Sequence, residues 1–81
     1  MNLTGMHIFV TGGAQGIGAA IVKDAAERGG RVSFGDIQDE RGNDYASSLK
    51  RSGLDVTYIH CNVGNLESVK QAHQEIVARY G

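Results

Sequence analysis

The feature that most constrains this chain is a glycine-rich stretch between an apolar run and a helical run. The run 8–10 (IFV) leads into residues 11–18 (TGGAQGIG), and the run 19–22 (AAIV) leaves it. This succession predicts a strand, a tight glycine turn and the start of a helix. Amides at the start of a helix have no acceptor within the helix and can bind an anion. The stretch therefore favours a βαβ fold with a phosphate-binding turn.

Each glycine of the stretch has a separate predicted role. Gly12 permits the turn out of the strand, Gly16 lets the backbone approach a phosphate, and Gly18 lets the helix lie close against the sheet. We expect the amides around Gly16 and Ile17 to bind the pyrophosphate of a dinucleotide. The alternative is an ordinary glycine-rich connection in an α/β protein.

The rest of the 81-residue chain predicts alternating strands and helices. Strands are predicted over residues 6–11, 31–36 and 55–60, and helices over 16–28, 39–52 and 66–80. The first strand is apolar on both faces, which is typical of cover on both sides, whereas the polar residues of the third favour an edge. Right-handed crossovers predict the strand order 3-2-1. The fold class is thus α/β, a partial three-layer Rossmann-type parallel sheet (βαβαβα) that stops before a fourth strand.

Helical spacing also predicts which residues are buried. The first helix is expected to bury Ile17, Ala20, Ile21 and Ala25. The second is expected to bury Gly42, Tyr45, Ala46 and Leu49. The third is expected to bury Leu66, Val69, Ala72, His73, Ile76, Val77 and Tyr80. Asn65 is a plausible cap of the third helix, and Gly42 costs the second about 1 kcal/mol relative to alanine.

An acidic residue stands where the second predicted strand ends. Asp36 follows Gly16 by 20 residues, and an acid at this place can accept hydrogen bonds from both hydroxyls of an adenosine ribose. It would also repel the 2′-phosphate of NADP. The alternative is that Asp36 only caps the next turn or helix, as aspartate often does.

The glycine spacing is T-G-x-x-x-G-x-G, from Thr11, Gly12, Gly16 and Gly18, and differs from the common G-x-G-x-x-G fingerprint. In this form the chain resembles the short-chain dehydrogenase/reductase family, over residues 3–81. The resemblance implies an NAD-dependent oxidoreductase that transfers hydride between NAD and an alcohol or ketone. The 81 residues would then form the N-terminal half of its dinucleotide-binding domain, which holds the adenosine and the pyrophosphate.

The resemblance also implies which cofactor is bound. In the family, NADP preference is marked by a basic residue just before the second motif glycine or just after the acid. Those positions hold Gln15 and Ile37, both uncharged, so NAD is predicted over NADP. The family's adenine-contacting Asp-Val pair is Asn62-Val63 here. Asn62 can still accept a hydrogen bond from the adenine amino group, and the alternative for it is a bond to local backbone.

The family's catalytic group is not found in these 81 residues. It consists of a Ser and of a Tyr and Lys spaced Y-x-x-x-K, and the nearest approach is Tyr45 with Lys50, one residue too far apart. The family's fourth strand and Asn-Asn-Ala-Gly turn are also missing. We expect no catalytic residue here and no activity from this chain alone. We also expect an oligomer, or pairing with another chain or with the C-terminal half of the family's domain.

Composition argues against several other classes of function. The formal net charge is −1 with no basic stretch, which disfavours a nucleic-acid partner. No signal peptide, membrane anchor or metal-ligand spacing is apparent. The single cysteine, Cys61, indicates a reducing, cytoplasmic setting, and we interpret it as a small buried residue.

Two functions from different classes remain. One is the cofactor-binding half of a dehydrogenase. The other is a non-catalytic nucleotide-binding or interaction module that pairs with a partner through a free sheet edge. A flavodoxin-like phosphate binder is disfavoured by the acid at the ribose position.

Overall fold

The computed structural model describes residues 2–80, with side chains for 2–79. Strands and helices alternate as β1 (His7–Thr11), α1 (Gly16–Glu27), β2 (Arg31–Asp36), α2 (Asp39–Arg51), β3 (Val56–His60) and α3 (Leu66–Tyr80). Their bounds lie within one residue of the predicted ones, which confirms the α/β alternation.

The sheet is parallel and its strand order is β1-β2-β3. This finding corrects the predicted order 3-2-1, which numbered the sheet from the edge formed by β3. Each crossover contains one helix and returns the chain beside the strand it left, so the strands lie in chain order. β2 is central in both descriptions. Its neighbours are set in register by the pairs His7–Arg31 and Val32–Val56.

Alternate strand residues form two unlike faces of the sheet. The first face carries the rows Ile8, Val32, Val56 and Val10, Phe34, Tyr58. It packs against α1 and α2 and forms the larger core. On the opposite face Ile59 and Cys61 pack against Ala72 of α3. The result is three layers, with most of the burial on the α1/α2 side.

The strands differ from their predicted burial at β1. Phe9 is 39% exposed, and Ile8 and Val10 are half-buried, so the expected cover on both faces is wrong. β1 is an edge strand, and among residues 2–80 no strand pairs with its outer side. The predicted edge position of β3 is confirmed.

Only one of the three predicted helix faces is confirmed. In α2, Gly42, Ala46 and Leu49 are buried as predicted, and Tyr45 is half-buried. The prediction for α1 is wrong apart from Ala25. The buried residues of α1 are Val22, Ala25 and Ala26, while Ile17 and Ile21 are 81% and 49% exposed.

The predicted stripe of α3 is largely exposed. Ala72 is buried and Val69 and Ile76 are half-buried. Leu66 and Val77, however, are 70% and 47% exposed. His73 is exposed too, and Tyr80 lies outside the described side chains. The apolar stripe of α3 is wider than the surface of the sheet that it covers, so the edges of the stripe face solvent.

Candidate cofactor-binding site

The glycine turn joins the end of β1 to the start of α1. Gly12 and Gly16 have φ angles of 68° and 61°, in the left-handed region that favours glycine. The Gly12 amide donates to the carbonyl of Gly35 at 2.7 Å, which ties the turn to β2. The N-cap residue Gln15 makes no side-chain capping hydrogen bond. The first-turn amides of α1 are therefore left for an anion.

Gly18 holds α1 directly against this turn. A Cβ at Gly18 would lie 2.0 Å from the carbonyl oxygen of Gly12. The expectation placed this close contact against the sheet, whereas the structure places it against the turn. Beside Gly16, in contrast, no atom other than those of its chain neighbours and of the backbone of α1 lies within 4 Å of the Cβ position, so the backbone there is open to a bound group.

Asp36 ends β2 next to the glycine turn, and its carboxylate is already hydrogen-bonded. Oδ1 accepts from the amides of Ile37 at 2.8 Å and Gln38 at 3.1 Å. Oδ2 accepts from the amide of Ala14 at 3.2 Å. Burial, at 8% exposure, raises the pKa of Asp36, but these bonds, led by that from the Gln38 amide, outweigh it and hold the pKa below its ordinary value. The carboxylate is therefore charged at neutral pH.

The two oxygens of Asp36 have different surroundings. Oδ1 also lies 3.4 Å from the side-chain nitrogen of Gln38, so it caps the turn between β2 and α2, which is the alternative role considered for this residue. Oδ2 has one protein donor, and a carboxylate oxygen offers about two lone pairs. Oδ2 therefore retains capacity for one further donor, beside the glycine turn.

A basic residue that the sequence pattern did not reveal also contacts the glycine turn. Arg41, the third residue of α2, donates through Nη1 to Oε1 of Gln15. The family resemblance implies a basic side chain that marks NADP preference only at positions 15 and 37. The signal that could have found Arg41 is topological, because the first turn of α2 and the glycine turn both follow the carboxyl ends of neighbouring strands.

An open pocket of about 720 Å³ lies beside this contact. It is lined by Ala14 and by residues of the β2–α2 turn and the first half of α2, including Arg41 and Tyr45. None of the nine predicted cofactor residues lines it. The pocket is therefore a neighbour of the predicted site and not the site itself.

The predicted adenine contacts lie in two loops. Asn62 Oδ1 accepts from the Gly64 amide at 3.0 Å, and the Asn62 amide donates to Ser68 Oγ at 2.9 Å. This is the bond to local backbone that was the alternative for Asn62, and it leaves Oδ1 a second lone pair. Ile37 and Val63 are 60% and 67% exposed, so both present apolar surface to solvent.

Two smaller expectations are confirmed next to this loop. Cys61 is 3% exposed, and burial raises the pKa of its thiol, as fits a small buried residue. Asn65 caps α3 through Oδ1, which accepts from the Ser68 amide at 3.2 Å.

Across residues 2–80 no helix is long and apolar enough to cross a membrane. The same residues include no group of three His, Cys, Asp or Glu side chains placed to hold a metal ion.

Comparison with known proteins gives consistent matches. A family model described as short chain dehydrogenase matches residues 6–81. Secoisolariciresinol dehydrogenase of Forsythia intermedia is 39% identical over 99% of this chain and 28% of its own length. An uncharacterized oxidoreductase of Thermotoga maritima is 42% identical over 98% of this chain and 31% of its own.

A solved structure shares the fold as well. A dehydrogenase/reductase from Sinorhizobium meliloti 1021 aligns with a TM-score of 0.91 at 34% identity, over 99% of this chain and 32% of its own. The chain thus spans less than a third of the length of these relatives.

Proposed function

Because the chain belongs to the short chain dehydrogenase family, we propose that it supplies the adenosine- and pyrophosphate-binding part of an NAD-dependent oxidoreductase. When bound, NAD accepts a hydride from an alcohol, or its reduced form donates a hydride to a ketone. One observation carries the proposal. The Asp36 carboxylate accepts from the Ala14 amide at 3.2 Å, which brings an ionised acid directly beside the glycine turn.

The residues present fit a dinucleotide. The amides of Gly16 and Ile17 are donors for the pyrophosphate at the start of α1, where the dipole also favours an anion. Gly12 shapes the turn and Gly18 keeps α1 against it. Asp36 Oδ2 accepts from a ribose hydroxyl, which leaves one such bond from this residue instead of the two expected from the sequence.

The part of the proposed site that contacts the adenine ring is formed by side chains that face solvent. Ile37 and Val63 offer exposed apolar surface for a ring, and burying such surface is favourable by about 25 cal/mol per Å². The free lone pair of Asn62 Oδ1 accepts from the adenine amino group. Gln15, at the N-cap of α1, belongs to the same proposed site.

We propose NAD over NADP for an electrostatic reason. Asp36 is charged and nearly buried, so its repulsion of a 2′-phosphate is weakly screened by solvent. Arg41 acts in the opposite sense, but it is exposed at the surface and bonded to Gln15. The acid is therefore the stronger influence.

We also propose that these 81 residues do not catalyse hydride transfer alone. They contain no tyrosine with a lysine four positions later, the pair that the family resemblance implies for proton transfer.

We further propose that the protein forms an oligomer and that it is located in the cytoplasm. The first rests on the open edge of β1, and the second on the single buried thiol of Cys61.

Calorimetric titration with NAD and NADP tests the proposal on the chain and on Asp36→Ala. We expect NAD to bind more tightly than NADP, and the variant to lose about 10- to 100-fold in NAD affinity because a charged hydrogen bond is removed. Its preference for NAD should also disappear. Glu67→Ala, which removes an exposed carboxylate from α3, is the matched control and should leave both affinities unchanged.

A specific observation favours the second candidate, an interaction module. Met6 and Phe9 beside the open edge of β1 are 53% and 39% exposed. If neither dinucleotide binds to a chain that circular dichroism shows to be folded, and size-exclusion chromatography shows self-association, the interaction module is the better account.

A further inference from the structure

A tyrosine, an aspartate and a histidine meet at the carboxyl edge of the sheet, outside the predicted cofactor residues. The Tyr58 hydroxyl lies 2.7 Å from the main-chain oxygen of Asp36 and 2.5 Å from Oδ1 of Asp39. Its single hydrogen is shared between these two acceptors. His60 Nδ1 lies 2.7 Å from the same Oδ1 and is the donor, because an ionised carboxylate only accepts. The cluster therefore connects β3, the end of β2 and the first turn of α2.

The protonation states of the cluster keep it intact. Burial, together with the hydrogen bond to Asp39, raises the pKa of Tyr58, so its hydroxyl remains a donor. The hydrogen bonds from Tyr58 and then His60 hold the pKa of Asp39 below its ordinary value, so Asp39 remains an acceptor.

Gly42 explains how the Tyr58 hydroxyl reaches this position. A Cβ at Gly42 would lie 2.2 Å from ring atom Cε1 of Tyr58, so the ring lies directly on the backbone of α2. The ring also packs against Phe34 of β2, with centroids 5.4 Å apart. Contacts with a helix and with a buried side chain of the neighbouring strand together fix the direction of its hydroxyl. The glycine that helix propensity disfavours inside α2 is what this contact requires.

The hydroxyl acts on the residue that the proposed function depends on. The Asp36 carbonyl also accepts from the Cys61 amide at 3.0 Å, so β3 and the residue that follows it hold the main chain of Asp36 through two donors. The carboxylate of the same residue points the other way, to Ala14. A shift of the Asp36 main chain would move the carboxylate relative to the glycine turn.

We propose that Tyr58 is a positioning residue for the cofactor site. It fixes the main chain of Asp36 and, through Asp39, the start of α2, so that the Asp36 carboxylate is pre-organised beside the glycine turn. This inference rests on the proposed function, because the feature that it positions is the ribose acceptor. Its effect is on the discrimination between NAD and NADP and not only on stability.

The test is Tyr58→Phe, which keeps the ring and removes the hydroxyl. We expect NAD affinity to fall about 3- to 10-fold, the loss of one hydrogen bond, and NADP affinity to change less, so that the NAD:NADP preference narrows. In an Asp36→Ala background the same substitution should change NAD affinity by less than about twofold, since coupling of this kind appears as non-additivity.

Tyr45→Phe is the matched control. Tyr45 packs on the same Phe34 ring, with centroids 5.8 Å apart, but its hydroxyl donates to the Ala19 carbonyl at 2.5 Å, away from Asp36. A tyrosine with a structural role alone would weaken both cofactors equally, so Tyr45→Phe should leave the NAD:NADP preference unchanged. If Tyr58→Phe also leaves it unchanged, or acts equally in both backgrounds, the proposal is overturned.

A second measurement needs no cofactor. The amides of Ile37 and Gln38 donate to Asp36 Oδ1, and their hydrogen exchange reports how firmly that turn is held. Exchange should become faster by about 3- to 10-fold in Tyr58→Phe, matching one lost hydrogen bond, and should be unchanged in Tyr45→Phe. Unaltered exchange at both amides would refute the positioning role even if NAD does not bind. Failure of NAD binding with faster exchange would count against the proposed function alone.

Discussion

Replacing Gly42 by alanine sets two effects of opposite sign against each other. Inside a helix, alanine is more favourable than glycine by about 1 kcal/mol. The new Cβ, however, would lie 2.2 Å from Cε1 and 2.4 Å from Cδ1 of Tyr58. Neither distance is tolerable, so the Tyr58 ring or α2 itself has to move. Because the ring also contacts Phe34, which is fully buried, any movement of the ring disturbs the core.

The balance of these effects is destabilising. Overpacking a well-packed site costs about 1–3 kcal/mol, and displacing the Tyr58 hydroxyl from the Asp36 carbonyl costs about 0.5–1.5 kcal/mol more. After the helix gain is subtracted, we expect the free energy of unfolding of Gly42→Ala to fall by about 0.5–3.5 kcal/mol. Helix propensity alone predicts a rise.

Urea denaturation followed by circular dichroism measures this difference. Ser47→Ala, at an exposed position of the same helix, should gain a few tenths of a kcal/mol and shows the propensity effect alone. In a Tyr58→Ala background the obstructing ring is gone, so Gly42→Ala should become stabilising by about 1 kcal/mol. A Gly42→Ala chain that is more stable than the parent, or an equal loss in both backgrounds, would refute the reasoning.

Two further predictions concern the turn and the acid. Gly18→Ala would place a methyl group 2.0 Å from the Gly12 carbonyl oxygen. We expect it to lower the free energy of unfolding by about 1–3 kcal/mol and to abolish dinucleotide binding in calorimetry, and retained binding would contradict the packing described. The pKa of Asp36 is below its ordinary 3.8 in the folded chain, so its contribution to stability is present above about pH 4 and lost as the pH falls through the folded value. The urea midpoint should therefore drop more between about pH 5 and pH 3 in the parent than in Asp36→Asn, and equal drops would assign the acid sensitivity to other carboxylates.

Local features of this chain were readable from its sequence. The element bounds, the Asn65 cap and the buried face of α2 each depend on neighbours within a few positions, and each is confirmed. The acid after β2 could be placed beside the glycine turn because parallel strands bring their carboxyl ends together, and its bond to Ala14 agrees with that placement.

Features that depend on a choice between equivalent surfaces were not readable. α1 is apolar on two sides, so spacing alone could not choose between Ile21, which is 49% exposed, and Val22, which is fully buried. The contact of Arg41 with Gln15 joins residues 26 positions apart, and only the packing of α2 beside the glycine turn creates it. The three backbone donors to Asp36 likewise follow from the path of two loops, which side-chain identity does not specify.

The register of the sheet has a consequence for how the chain reaches its fold. Residue 7 pairs with 31 and residue 32 with 56, a separation of 24 positions in both ladders. Closing a loop costs entropy that depends on the length of the loop. The loop-closure cost is therefore the same for both ladders, and neither ladder forms from residues close together in the sequence. Strand pairing of this kind is slow beside helix formation, which takes about a microsecond or less. As the chain leaves the ribosome, β2 can dock on β1 before β3 exists, whereas β3 has no template until β2 has emerged. β2 is common to both ladders, so every strand pairing of this sheet requires it.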